Sequence, residues 1–131
     1  MSIAAIREGL ADALRTIPGL RVSPYFPDSI EPPMAIVDTY EVNFDAAFNR
    51  GADEITFDVM VVVRRTSERA AQQALDVYLP LIKAALQEDH TLGGVAMSLH
   101  VTAAQRQTSL AIGETTYLAA SYAVRIIATT A

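Results

Sequence analysis

The residue types that most often serve as catalytic bases, nucleophiles or transition-metal ligands are scarce in this sequence, which has two histidines and no cysteine. His90 directly follows Glu88 and Asp89, whereas His100 stands apart on a predicted strand. Neither histidine has the spacing of a zinc site, and a chain without cysteine has no thiol nucleophile or thiolate-bound metal. The acidic cluster is interpreted as a solvated helix end, where the helix dipole favours a cation. The sequence therefore predicts no catalytic residue, no metal site and no cofactor.

Two short motifs could in principle bind phosphate, namely Gly93-Gly94 and Arg64-Arg65. The glycine pair lacks the following Lys-Ser/Thr of a phosphate-binding loop, so it is interpreted as a helix stop. The arginine pair ends a predicted strand, where a solvated boundary or pairing with nearby acids is favoured over phosphate binding. The G-x-S-x-G motif of serine hydrolases is also absent from the sequence. These patterns predict a protein that is not an enzyme.

The length and the net charge of the chain further restrict the class of protein to which it can belong. The chain has 131 residues, a hydrophobic fraction of 51% and a net charge of −5. The length fits one domain spanning residues 1–131, and the negative charge argues against general nucleic-acid binding. The N-terminal segment is charged, and the longest apolar run is far shorter than the roughly 20 residues of a membrane helix, so no membrane partner is expected. The high apolar fraction indicates that a partner covers part of the surface.

Two amphipathic helices are predicted. The first is capped by Ser2 and ends before Pro18, and its predicted solvent face carries Arg7, Glu8, Asp12 and Arg15. The second begins at Thr66 or Ser67, and Pro80 lies within it. Proline deletes a backbone hydrogen bond, so a kink or a break into two helices is expected there.

The remaining periodic segments are predicted strands, at residues 20–23, 34–42, 54–64, 95–103 and 115–129, with a polar turn over residues 104–114. Simple alternation places Val37 and Tyr40 on opposite faces of the second strand. The third strand has one continuous apolar face, and its other face is apolar at Met60 and Val62, which are expected to be covered by a helix or another subunit. The order of elements predicts an α+β fold, with a mostly antiparallel sheet and two main helices packed on one face.

Residues 42–52 show no useful period and are interpreted as a flexible loop or a long hairpin tip. Aromatic residues in such a polar loop either anchor a partner surface or fold back on their own domain, and the sequence does not separate the two. The predicted oligomer or partner interface comprises Phe44, Phe48, Arg50, Met60 and Arg64.

The segment YLPLIKAALQEDHTLGGVAMSLHVT resembles the tail terminator, or tail completion, proteins of long-tailed, siphovirus-type bacteriophages, especially those that infect actinobacteria. The preceding RGADEITFDVMVVVRRTSERAAQ is similar to that family's long strand and following helix, and YLAASYAVRIIAT to its final strand. The resemblance spans roughly residues 45–128, and Pro80 stands where the family would have a short Gly/Ser-containing break. The matching positions are Asp76, Tyr78, Leu79, Ile82, Lys83, Ala85, Leu86, Gln87, Asp89, Thr91, Leu92, Gly93 and Gly94.

This resemblance implies a structural virion protein that forms a ring, typically a hexamer, at the head-proximal end of the tail tube. Its partners would be copies of itself, the tail tube protein and the head-tail connector of the neck, with DNA passing through the lumen unbound. Its location would be the virion, and the host cytoplasm during assembly. The alternatives are a neck connector or head-completion protein, a small ligand-binding or enzymatic domain with a pocket lined by Glu54, Asp58 and His100, and a monomeric α+β domain.

Overall fold

A computed structural model describes residues 2–44, 51–89, 91–94, 96–104, 108–112 and 115–129. The predicted α+β class is confirmed, with a mostly antiparallel sheet and two α-helices. The elements are α1 (Ile3–Leu14), β1 (Arg21–Ser23), β2 (Met34–Asn43), β3 (Ala52–Arg64), α2 (Glu68–Glu88), a 3₁₀ turn (Leu92–Gly94), β4 (Ser98–Ala104), β5 (Thr108–Ile112) and β6 (Thr115–Thr129). The strand ends at Asn43 and Ala52 therefore lie inside the predicted loop 42–52.

The sheet has the strand order β1-β2-β3-β6-β4, and β5 also pairs with β6. Only β1 and β2 run parallel, and the long β3 and β6 pair from Ala52↔Thr129 to Arg64↔Tyr117. Because β3 occupies one side of β6, β4 and β5 follow each other along its other side. The predicted turn over residues 104–114 is wrong for residues 108–112, because hairpin pairing with β6 overrides the weak local strand preference of this segment.

Both helices pack on the same face of the sheet, which we call the helix side. The apolar face predicted for β3 is confirmed as the centre of this core, and the buried residues of β3 on this side are Ile55, Phe57, Val59, Val61 and Val63. The helices contribute Ile6, Leu10 and Leu14 from α1 and Leu75, Ile82 and Leu86 from α2. Each such side chain contributes about 1.5–3 kcal/mol when fully buried, so this single layer accounts for most of the apolar stabilisation.

The helix α2 continues through Pro80, so the predicted break into two helices is wrong. The proline removes the hydrogen bond that the carbonyl of Asp76 would otherwise accept. Both Pro80 and Asp76 are exposed, so water can reach this carbonyl and the cost of the lost bond is small.

A tight turn that contains Asp89 and residues 91–94 follows α2. The carboxylate of Asp89 accepts hydrogen bonds from the amide of Thr91 at 3.2 Å, the hydroxyl of Thr91 at 2.8 Å and the amide of Gly93 at 2.8 Å. The turn buries Leu92 against α1, where a Cβ added to Gly9 would lie 3.1 Å from the Leu92 Cβ. Gly93 has a φ of 71°, which is consistent with its prediction as a helix stop. Asp89 therefore has a structural role, and His90 lies outside the described residues.

Candidate interface surfaces

A bulge in β2 changes which side chains face the helices. Val37 pairs with Val59 and Tyr40 pairs with Phe57, so two residues of β2 oppose one residue of β3 between these pairs. Val37 and Tyr40 consequently lie on the same, helix side, and the alternation predicted for this strand is wrong beyond Val37. The Tyr40 ring lies 5.5 Å from the Phe57 ring.

The buried guanidinium of Arg7 holds this bulge in place. Its Nη1 donates to the carbonyl oxygens of Val37 at 2.6 Å, Asp38 at 2.8 Å and Pro24 at 2.8 Å. Arg7 is only 8% exposed, so its predicted place on the solvent face of α1 is wrong. The signal was present in the spacing, because Arg7 follows Ile3 by one helical turn and precedes Leu10 by another.

An exposed group of four aromatic side chains lies along this edge of the sheet, and we call it the aromatic edge. Its members and their exposed fractions are Tyr25 (54%), Phe26 (46%), Tyr40 (48%) and Phe44 (70%). The guanidinium carbon of Arg7 lies 4.6 Å from the centre of the Tyr25 ring and 5.3 Å from that of Phe57, so one cation joins the loop after β1 to β2 and β3. Of the four aromatic residues only Phe44 was predicted as an interface residue.

The backbone of β2 is also open at this edge. The short β1 pairs only with residues 34–36, and among the described residues no strand lies outside β2 beyond Ile36. Arg7 binds the carbonyls of Val37 and Asp38, which leaves residues 39–43 as an uncovered strand edge. Such an edge offers hydrogen-bonding groups to a further strand.

On the helix-free face of the sheet, Met34, Ile36, Val62 and Ala119 form a small buried apolar cluster, and Ile30, Met60 and Tyr117 pack against it. Val62 is fully buried, as expected. The expected cover by a helix or another subunit is wrong for Val62, because the chain covers it with its own Ile30 segment and neighbouring strand side chains. Met60 is half-buried at the centre of this face.

Arg64 is exposed at the end of β3 and lines a surface concavity of about 510 Å³ together with Arg21 and Tyr117. Arg21 pairs with Glu31 at 3.4 Å. The concavity therefore carries cationic groups beside the apolar cluster, at the end of the sheet opposite to Phe44.

Two carboxylates of β3, those of Glu54 and Asp58, lie near the other end of the helix-free face. Glu54 forms an ion pair with Arg125 at 3.0 Å, and Asp58 accepts a long hydrogen bond of 3.4 Å from the Thr39 hydroxyl. Partial burial, and then the charge of Asp58, raise the pKa of Asp38, and the nearby Arg7 partly offsets this. In the described part of the chain, no group of three or more His, Asp or Glu side chains is arranged to hold a metal ion.

The opposite edge of the sheet carries an apolar groove of about 410 Å³ between α2 and β4, which we call the α2–β4 groove. Its lining includes Leu79, Pro80 and Lys83 from the helix and Val101 and Tyr122 from the sheet. The edge of β4 itself is only partly shielded, because the Val101 amide donates to the Gln87 side-chain oxygen at 3.1 Å. This groove was not predicted from the sequence, because it depends on how α2 crosses the end of β4.

The structure does not bring the predicted interface residues together in one site. Phe44 lies at the aromatic edge, whereas Met60 and Arg64 lie on the helix-free face, where Met60 neighbours residue 36 of β2. At 3.3 Å per residue, Phe44 is roughly 25 Å along β2 from that position. Phe48 and Arg50 lie outside the described residues.

Comparison with known proteins assigns no family: no family model matches the chain, and a search of curated proteins found no significant match. None of the described helices is both long enough and apolar enough to span a bilayer.

Proposed function

We propose that this chain is a structural virion protein that assembles into a ring, six copies in the family it resembles, at the head-proximal end of a bacteriophage tail tube. There it stops tube polymerisation and provides the surface to which the head-tail connector binds. The observation that carries this proposal is that the two lateral edges of the sheet present unlike surfaces. These are the aromatic edge beside the open part of β2 and the α2–β4 groove beside β4.

Unlike surfaces on one chain favour head-to-tail association, because each copy then offers to its neighbour the surface that the neighbour lacks. Such heterologous contacts close into a ring when the rotation between copies closes, and the ring has two different annular faces. Two different faces are what a terminator needs, since one must bind the tube and the other must reject further tube subunits.

The aromatic edge offers enough apolar surface to offset most of the entropic cost of association. Each partly exposed ring offers roughly 100 Å² of apolar surface, and at about 25 cal/mol per Å² four rings contribute on the order of 10 kcal/mol. The loss of translational and rotational freedom opposes this with a cost of similar size. A single contact is therefore weak, and closure of the ring stabilises all contacts together. The net charge of −5 suits a channel through which DNA passes, because like charge disfavours capture of the DNA.

The test uses the purified chain mixed with tail tube subunits encoded by the same genome. Electron microscopy should show shorter tubes with one end capped, and sedimentation should show an assembly heavier than the 14.1 kDa chain. Replacing Phe44 with Ser should abolish capping, whereas the control Val77→Ser removes a side chain of comparable exposure (61%) on α2 and should preserve it.

Two outcomes would refute the proposal. A single 14.1 kDa species at every concentration, together with unaffected tubes, would indicate the monomeric alternative. A ring that leaves tube length and tube ends unchanged would indicate a neck connector or head-completion protein.

A further inference from the structure

We propose that copies of this chain join through their sheet edges, with residues 39–43 of β2 in one copy pairing with β4 (Ser98–Ala104) of the next. The occupant of each edge is thus a second copy of the chain, and the sheet continues from subunit to subunit. This inference rests on the proposed ring and names the contact that closes it.

The first partner in this contact is the open part of β2. The parallel pairing of β1 ends at Ile36, and Arg7 binds the carbonyls of Val37 and Asp38 just beyond that point. Arg7 therefore fixes the strand at the start of its open stretch, so that residues 39–43 are already extended and paired with β3 on their inner side. A pre-formed strand edge loses little conformational freedom when it gains a neighbour.

The second partner is β4, the last strand in the sheet order. Its Val101 amide donates to Gln87 rather than to a strand, so this amide points away from β6. The side-chain amide of Gln87 shields one position of the edge in the separate chain, and a carbonyl of the incoming β2 would take its place. The exchange replaces one hydrogen bond with another of the same kind.

The strand directions fit this pairing. The pairings of β2 with β3, of β3 with β6 and of β6 with β4 are all antiparallel. The strand direction reverses at each of these three pairings, so β2 and β4 of one copy run in opposite directions. Rotation about a ring axis that lies roughly along the strands preserves these directions. The β2 of one copy then meets the β4 of its neighbour as an antiparallel pair, the more stable of the two ladder types.

The side chains match on the helix side of the joined sheet. The register of β2 places Tyr40 on this side, next to Phe57, and Phe44 follows four residues later. The β4 edge presents the α2–β4 groove on this same side, with Leu79 and Val101 in its lining. Pairing of the two edges would bring the exposed rings of one copy to the apolar groove of the next.

The charges match as well. The open stretch of β2 carries Glu41 and directly follows Asp38, whereas the other edge carries Lys83 at the groove and His100 on β4. Glu41 pairs with Thr56, Thr56 pairs with Arg125, and Arg125 pairs with His100. Because paired residues lie on the same face of a sheet, Glu41 and His100 both lie on the helix-free side. Acidic groups on one edge and basic groups on the other favour joining of unlike edges and disfavour joining of two β2 edges.

Disulfide cross-linking tests this contact directly, because the natural chain contains no cysteine. Glu41→Cys is combined in turn with Ser98→Cys, His100→Cys or Thr102→Cys, which samples neighbouring registers. Within one chain, β2 and β4 are three strand spacings apart, roughly 14 Å, so an intramolecular disulfide cannot form. The control pair Thr56→Cys with His100→Cys keeps one edge position and moves the other to the interior strand β3.

We expect at least one of the three combinations to give a ladder of linked oligomers under mild oxidation, with a yield at least tenfold above the control pair. If sedimentation shows that the natural chain forms rings but no combination exceeds the control, the edge pairing is refuted and the proposed function stands. If cross-linked ladders form but tail tubes remain uncapped, the edge pairing stands and the proposed function fails. A chain that stays monomeric and never cross-links refutes both.

Discussion

Replacement of Arg7 with Met is expected to cost far more stability than a charge on a helix normally contributes. The substitution keeps the length and the apolar stem of the side chain but removes every donor from the bulge of β2. The fully buried carbonyl of Val37 would lose its donor at a cost of about 1–3 kcal/mol, and the partly buried carbonyls of Asp38 and Pro24 would cost about 0.5–1 kcal/mol each. Loss of the contacts with the Tyr25 and Phe57 rings adds about 1 kcal/mol.

The free energy of unfolding should therefore fall by about 3–6 kcal/mol, a large part of the roughly 5–15 kcal/mol of a typical domain. Urea denaturation followed by circular dichroism measures this change. The matched control is Arg15→Met on the same helix, where an exposed arginine pairs with Asp12 at 2.5 Å and a loss below about 1 kcal/mol is expected. Arg7→Lys should fall between the two, because an ammonium keeps the charge but not the geometry of the donors. Losses that agree within about 0.5 kcal/mol for Arg7→Met and Arg15→Met would refute the role assigned to Arg7.

Three further changes should alter stability in defined directions. Gly9→Ala should destabilise the chain by about 1 kcal/mol instead of giving the usual gain of a helical alanine. The reason is that the new Cβ would lie 3.1 Å from the Cβ of Leu92, in a turn held by the hydrogen bonds of Asp89. In a Leu92→Ala background, urea denaturation should show that Gly9→Ala stabilises the chain again. Asp89→Ala should cost about 1–2 kcal/mol by removing three hydrogen bonds of the same turn, measured by urea denaturation. Asp38→Asn should raise stability near neutral pH, and this gain should vanish below the usual carboxyl pKa of 3.8, as a stability–pH profile would reveal.

The raised pKa of Asp38 sets the direction of this pH dependence. A carboxyl whose pKa is higher in the folded state binds its proton more tightly there, so it favours folding below 3.8 and loses this contribution as the pH rises through its folded-state pKa. The control for Asp38→Asn is Asp28→Asn, which makes the same charge change at an exposed position. The control for Asp89→Ala is Glu88→Ala, which removes the neighbouring exposed carboxylate. Equal stability–pH profiles for Asp38→Asn and Asp28→Asn would contradict the raised pKa of Asp38. Equal stability losses for Asp89→Ala and Glu88→Ala would contradict the structural role of Asp89. A Gly9→Ala variant that is more stable than the natural chain would contradict the close contact with Leu92.

The fold could be predicted from the sequence because its main signals are periodic. The alternation of Ile55 to Val63 and the helical spacing of Leu10 and Leu14 each specify one buried face, and a one-residue error would expose that face. The bulge in β2 has no such signal, because it inserts one residue and both alternations remain plausible on either side of it. The short β5 was missed for a related reason, since it depends on β6 as a partner more than on its own composition.

The candidate surfaces were harder to predict, because they depend on which sides of an element stay uncovered. Phe44 was identified because it is an aromatic residue in a polar segment, and Tyr25 and Phe26 between Pro24 and Pro27 carry the same signal. Tyr40 was assigned to the wrong face of its strand. The open edge of β2 cannot be read from its own sequence, because it results from the shortness of β1, which pairs with residues 34–36 alone.

The proposed function is tested most directly by cryo-electron microscopy of mature particles of the bacteriophage to which the proposal assigns this chain. We expect a ring of this chain between the tail tube and the head-tail connector, with copies related by rotation about the tail axis. Particles in which this junction is built entirely from other proteins would contradict it.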